Sequence, residues 1–351
     1  MATLRRKKAE PFSVFQRDPG LWPPILLNWM ATLAIIMVFG LVMLFSASYT
    51  TGYLRFGDSF HYIKSQLLCT VLGLGMMFLF SYFDHRFLRR MVKLGYVVCL
   101  ILLVLEPHMS GILLTTAIVG TILLLGGSGG IITWGCAGAA LFLLETLLKH
   151  VDSIDYLQSR LDGWPQDLDR MTSQTKQSLY AIGSGGATGL GLGNSIEKQL
   201  WLPESTNDFI FSVVCEELGF IGATLIIVLF ILFIVQGLLI AYKAENQFCT
   251  MVGIGIMAQI AWQVFCNIAV VTNTIPNTGI SLPFFSSGGT SLILLLAEMG
   301  VMVNIGRNGE RAAQQRAADH ARREAERAAQ EAERASRTIN LEDARRARNG
   351  K

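Results

Sequence analysis

Charge in this chain is gathered into a few blocks, and long uncharged runs lie between them. The blocks are residues 1–18, 84–93, 145–217 and the tail from Arg307. An ionised group at mid-bilayer costs at least ~2.5–3.5 kcal/mol, so a chain whose solvent is lipid segregates its charges this way. Composition agrees: charged residues make up 16% and apolar residues 52% of the 351, whereas a soluble domain carries about a quarter charged.

A crossing needs ~20 mainly apolar residues. Segments 25–48, 66–83, 109–127, 131–148, 248–272 and 282–305 qualify. Segment 209–242 is longer than one crossing requires and reads as a tilted helix, or one that starts outside the hydrocarbon. Segment 94–105, which runs into Glu106-Pro107-His108, is the shortest; with it there are eight spans. The expected fold is all-α, a polytopic transmembrane helix bundle of about eight spans. Residues 1–24 form an N-terminal segment, 25–306 the membrane domain with a long outer loop at 149–207, and 307–351 a charged helical or disordered tail.

Arg5-Arg6-Lys7-Lys8, the group Arg86, Arg89, Arg90 and Lys93, then Lys243 and the Arg-rich tail all fall on one side of an eight-span chain. The positive-inside rule makes that side cytoplasmic, so both termini are expected there. The tail sets 12 Arg/Lys against 8 Asp/Glu without an apolar seam, as in a solvated helix with i,i+4 charge pairs. The six cysteines are scattered through apolar runs with no metal-binding spacing and read as core residues. Nothing points to nucleic acid.

The outer loop is dense in glycine between Gly163 and Gly193 and ends in Trp201-Leu202-Pro203-Glu204. Glycine permits positive φ and close backbone approach, and long punctuated loops carry function more often than idle linkers do. A structural plug over the helices is the alternative. The pattern argues against a phosphate-cradling P-loop, because no Gly-Lys-Ser/Thr follows.

Three segments carry a resemblance. The first is Gly40-Leu41-Val42-Met43-Leu44-Phe45-Ser46-Ala47-Ser48. The second is Leu202-Pro203-Glu204-Ser205-Thr206-Asn207-Asp208-Phe209-Ile210-Phe211, followed by Cys215-Glu216-Glu217-Leu218-Gly219. The third runs from Pro276 through Leu282-Pro283-Phe284-Phe285-Ser286-Ser287-Gly288-Gly289-Thr290. In order and spacing the chain resembles the SEDS family of peptidoglycan glycosyltransferases, the FtsW, RodA and SpoVE group, and is most like its division and sporulation branch. It departs from the family pattern in lacking an Arg-Trp pair and a Gln-Pro-Ser-Glu segment after residue 105, which leaves eight spans where the family has ten. Ser287 also replaces a usual tyrosine.

The resemblance implies polymerisation of lipid II at the outer membrane surface, with release of undecaprenyl pyrophosphate. The acceptor hydroxyl is a weak nucleophile that needs a base, and the departing pyrophosphate needs cations or donors. Asp208 is the expected base; the other reading of it is a helix cap. Lys198 and Arg160 are the outer-side cations expected at the pyrophosphate, or else surface charges. Glu216 and Glu217 lie ~12–14 Å further along a helix and either meet substrate or bond a neighbouring helix. Glu204, Ser286, Gly288 and Gly289 complete the expected substrate-contacting set, the glycines also permitting close helix approach. A divalent cation, Mg or Mn, could bridge pyrophosphate and carboxylate, but no ligand cluster demands one. The implied partners are a class B penicillin-binding protein transpeptidase and other divisome or elongasome membrane proteins. Two other readings remain open: a lipid II flippase or transporter, and an inactive scaffold.

Overall fold

The structure, a computed structural model, describes residues 22–84, 86–90, 109–126 and 171–349. The expected spans 94–105 and 131–148, and Arg160, lie outside the described residues.

All the elements in the described residues are α-helices: α1 Pro24–Phe56, α2 His61–Phe80, α3 Met109–Leu125, α4 Ser173–Gly185, α5 Ile210–Tyr242, α6 Gln247–Val271 and α7 Gly289–Asn349. α1 opens on Pro24, whose missing N–H is no loss in a first turn. It stops at Gly57, which adopts φ 69° and returns its N–H to the Tyr53 carbonyl at 2.9 Å. α6 is capped by Asn246, whose side-chain oxygen accepts from the Cys249 N–H at 3.0 Å. α1, α2, α5, α6 and the first part of α7 are long and apolar enough to cross a membrane; α3 is shorter. Beyond that part, α7 continues without a break into the charged tail, where Arg322 meets Glu326 at 3.0 Å, an i,i+4 pair.

The helices pack through small residues, as helices do where lipid removes the hydrophobic drive between them. α7 lies along α2. A Cβ at Gly300 would fall on the Met77 carbonyl oxygen, and one at Gly289 would stand 2.6 Å from the Cys69 sulfur. Trp29 of α1 stacks on Phe233 of α5 with ring centroids 5.0 Å apart, in the middle of the buried core.

Charge sorts the two ends of the bundle. Arg307 is sandwiched at 4.8 Å from the Trp22 ring and 4.9 Å from the Tyr82 ring. Asn304 donates to the carbonyls of Ser81 and Phe83. Arg86, Arg89 and Arg90 line one cleft with Asn246 and Gln247, and Arg316 donates to the Glu245 carbonyl. The start of α1, the basic stretch after α2, the α5–α6 turn and the start of the tail therefore share one end. Residues 171–209 and 273–288 gather at the other.

Two spans differ from expectation. The last begins at Gly289, not residue 282. Pro283 has no N–H to continue a helix, Phe284 stands at φ 66°, and the Leu282 N–H is taken by the Ser286 hydroxyl at 2.9 Å. The long span 209–242 is not one continuous helix: it breaks at Gly219, at φ 66° and ψ −171°.

Candidate functional site

The break in α5 is closed by the glycine-rich loop. A helix interrupted in a membrane leaves carbonyls and N–H groups that must find partners. Here Leu190 N–H donates to the Glu216 carbonyl at 2.9 Å and Gly191 N–H to the Glu217 carbonyl at 3.0 Å. In return, Phe220 N–H reaches the Gly186 carbonyl at 2.9 Å and Ile221 N–H the Ala187 carbonyl at 3.1 Å. Backbone must lie on backbone for this. A Cβ at Gly185 would strike the Cys215 carbonyl, and one at Gly189 the Glu217 carbonyl. Gly185 and Gly189 are thus packing requirements, while Gly186, Gly191 and Gly193 stand at positive φ with open space around them or only a side chain nearby.

Above the break the loop delivers side chains to two buried carboxylates. Glu216 and Glu217 are both 0% exposed and Lys198 only 4%. The Lys198 ammonium sits 2.6 Å from Glu217 Oε1, and Ser46 of the first motif donates to the same carboxylate at 2.7 Å. Glu216 accepts from the Ser195 hydroxyl and from the Ile196 N–H at 2.9 Å. Neighbouring Glu197, in the outer loop, has its carboxyl pushed above the usual carboxylate range, first by burial and then by the Glu216 charge.

Asp208 lies in a different place. A turn in which Asn207 and Phe209 both donate to the Glu204 carbonyl brings it to the mouth of α5. The helix cap is Phe209, so Asp208 stands one residue outside α5. Asn267 of α6 fixes it from below, donating to the carbonyls of Asp208 at 2.7 Å and Ile280 at 2.8 Å. Asp208 and Asn207 line a cavity of about 140 Å³ with Gln263 of α6, the turn 281–284, Ser286–Gly288, and Ser291, Leu292 and Leu295 of α7. Its walls carry one carboxylate, amides and several hydroxyls above an apolar floor. Phe284, held in the left-handed region, lines the same cavity. A bulky residue there is strained and persists only where its surroundings dictate it, often at functional sites. They do so here: a Cβ at Gly40 of α1 would fall on the Phe284 carbonyl.

The residues expected from sequence therefore divide. Asp208, Ser286 and Gly288 line the cavity. Ser286 is committed to structure, donating to the Asn207 carbonyl at 2.8 Å while it accepts from Leu282. Gly289 serves the α2–α7 approach. Glu204 is exposed at φ 56°, and its carboxylate takes the Asn207 amide at 2.6 Å. Lys198, Glu216 and Glu217 form the buried cluster and are absent from the cavity wall. Gln263 and Asn267 were missed by sequence reasoning. The signal was two amides four residues apart in an apolar span, which puts both on one helix face. Another missed group is Glu298 of α7, which accepts from Gln259 of α6 at 3.2 Å. Among the described residues no group of three or more His, Cys, Asp or Glu is placed to hold a metal ion.

The family model for FtsW, RodA and SpoVE, described as cell cycle protein, matches residues 26–112 and 102–311. Stage V sporulation protein E of Bacillus subtilis (strain 168) is 34% identical over 357 residues, covering 81% of this chain and 97% of that protein. Those 357 aligned positions exceed 81% of a 351-residue chain, so part of the sporulation protein has no counterpart here. The protein named Probable peptidoglycan glycosyltransferase FtsW of Geobacter sulfurreducens (strain DL-1 / KN400) is 36% identical over 229 residues, 64% of this chain and 60% of that one. Among solved structures, a chain from a peptidoglycan synthase complex that coordinates polymerization and crosslinking superposes with TM-score 0.64 at 19% identity, over 82% of this chain and 99% of that one. The rod shape determining protein RodA of Thermus thermophilus superposes with TM-score 0.51 at 23% identity, over 80% and 96%. At these identities the structural likeness speaks for the fold: a multi-pass membrane helix bundle. With the model match spanning most of the chain and the sporulation relative aligned over nearly its full length, this chain belongs to the FtsW/RodA/SpoVE family of cell cycle proteins.

Proposed function

We propose that the chain is a peptidoglycan glycosyltransferase that polymerises lipid II at the outer face of a bacterial plasma membrane, with Asp208 as general base. Asp208 takes the proton of the acceptor sugar hydroxyl as its oxygen attacks the anomeric carbon of the donor, and the bond to the pyrophosphate breaks. The observation that supports this most is the cavity. Asp208 opens onto a polar pocket with an apolar floor at the end of the bundle away from the basic segments, where the second and third motifs meet. The basic end is then cytoplasmic by the positive-inside rule, which puts both termini inside and Asp208 outside. In this reading Lys198 acts at one remove, because its charge is spent on Glu217; it holds the loop over the broken helix. Arg160 stays the cation proposed for the leaving pyrophosphate. The relatives' name, and the superposition on a chain of a peptidoglycan synthase complex, favour a transpeptidase partner, a class B penicillin-binding protein.

The test is polymerisation of lipid II by the purified full chain with its transpeptidase. Loss of a positioned base costs about 10²–10⁴-fold in rate, so Asp208→Asn should drop glycan synthesis by that factor with unfolding unchanged. Wild-type turnover by Asp208→Asn would end the proposal. A second reading, a non-catalytic scaffold, is favoured by one observation. The family model matches in two pieces that meet at 102–112, where the sequence lacks the Arg-Trp and Gln-Pro-Ser-Glu segments. A folded wild type that binds its partner and yields no strands would select it.

A further inference from the structure

We infer that Gln263 is a substrate-positioning contact, its side-chain oxygen accepting an N–H or O–H from the sugar whose hydroxyl faces Asp208; this rests on the glycosyltransferase reading above. Gln263 lines the Asp208 cavity, and its Oε1 is buried with no hydrogen-bond partner. A buried acceptor left unpaired carries the full penalty of its lost water, so a position that keeps one has a donor arriving from elsewhere. One turn outward, Asn267 is turned so that its amide nitrogen serves the Asp208 and Ile280 carbonyls, and its Oδ1 too is buried without a partner. Two carbonyl partners demand the nitrogen end, so the orphaned oxygen follows from the task of fixing Asp208. Gln263 has no such task. Its oxygen is a buried, unpaired amide acceptor on the wall of the cavity that Asp208 also lines.

Of the other groups on the wall, the Ser286 hydroxyl is occupied on both sides by backbone, Leu282, Leu292 and Leu295 are apolar, and Asn207, Ser281, Ser287 and Ser291 add further polar groups around the ring. At about 140 Å³ the cavity is smaller than the ~300–1,000 Å³ sites that enclose a whole ligand, and suits one sugar ring at the reacting end of a larger molecule. An N-acetylated sugar brings several donors to that space. Asp208 is needed for the attacking hydroxyl. A second acceptor about a helical turn deeper, taking a neighbouring N–H or O–H, fixes how the ring is turned, and orientation of the attacking oxygen is what positions it for reaction.

The test compares Gln263→Leu and Gln263→Glu with wild type in lipid II polymerisation by the full chain with its transpeptidase, together with the unfolding midpoint of each. Gln263→Leu should lower kcat/KM about 10- to 100-fold, the value of one lost buried hydrogen bond, with part of the loss in kcat because the ring is no longer held in its reacting orientation. Gln263→Glu keeps an acceptor and should recover most of the loss. Removing an orphaned acceptor should leave the unfolding midpoint unchanged or higher. A wild-type kcat/KM in Gln263→Leu overturns the inference, and so does a loss of activity that tracks a fallen midpoint. Asp208→Asn separates the two claims. If it still polymerises, the base assignment fails while the Gln263 comparison stands. If no variant, wild type included, makes strands, binding of fluorescent lipid II decides: weaker binding by Gln263→Leu than by wild type supports the contact, and equal binding overturns it.

Discussion

Replacing Lys198 with methionine tests whether the buried cluster is architecture or chemistry. Lys198 is 4% exposed and Glu217 0%, with 2.6 Å between the charges. Methionine fills similar space but removes the cation, leaving Glu217 with the Ser46 hydroxyl as its remaining described partner. Removing one member of a buried pair costs about 3–5 kcal/mol, because the other charge stays in a medium that cannot solvate it. Against a total stability of ~5–15 kcal/mol that is a large fraction. The loss should concentrate at the α5 break, since the same loop segment carries Ser195, Ile196 and Lys198 to the two carboxylates. Replacing both partners, Lys198→Met with Glu217→Gln, removes the stranded charge and should recover most of the stability. The assay is thermal unfolding in detergent, followed by tryptophan fluorescence, for wild type, both single variants and the double. If Lys198 served the pyrophosphate, the double variant would fold and stay inactive; the structure predicts that it regains polymerisation along with stability. A Lys198→Met variant as stable as wild type, or a double no better than the single, would refute the reasoning.

Other expected outcomes follow from the same contacts. Gly219→Ala puts a side chain at φ 66° against the backbone at Gly189 and should cost at least about 2 kcal/mol, whereas Gly183→Ala, with nothing within 4 Å, should be neutral or mildly stabilising; unfolding midpoints of the two variants check this. Glu197 has its pKa raised, so the folded state binds its proton more tightly than the unfolded chain does. Its contribution is full at pH below the unfolded value and is lost as pH rises through the raised one, so Glu197→Gln should stabilise at neutral pH and make no difference in acid, read from midpoints across pH. Asn267→Leu orphans the Asp208 and Ile280 carbonyls and should lower stability by about 2–4 kcal/mol and polymerisation with it, because the mouth of α5 loses its tie to the following turn.

What was legible in the sequence, and what was not, divides along one physical line. Residues that answer to the solvent could be read: the apolar runs, and the gathering of the described basic residues at one end of the bundle, follow from what lipid and water tolerate. Residues that answer to one another could not. Segment 209–242 reads as one overlong helix, because Cys215-Glu216-Glu217-Leu218-Gly219 holds no proline and a single glycine does not announce a break. The break exists because Leu190 and Gly191 stand ready to take the freed carbonyls, and the loop's path depends on closing against a helix some thirty residues later in the chain, as roughly a Gly-to-Gly contact. Lys198 shows the same limit. In sequence it is an outer-side cation, and only the fold reveals that Glu217 needs it more than a phosphate would. The two glutamates were the available clue. Carboxylates at that depth must have partners, and the one nearby cation in a loop rich enough in glycine to descend to them was Lys198. The cost of leaving Glu217 buried without its cation is also what opposes the loop's lifting away. The ion pair and the backbone bonds across the Gly219 break are made by one stretch of chain, residues 186–198, which leads within ten residues to Asp208 at the cavity.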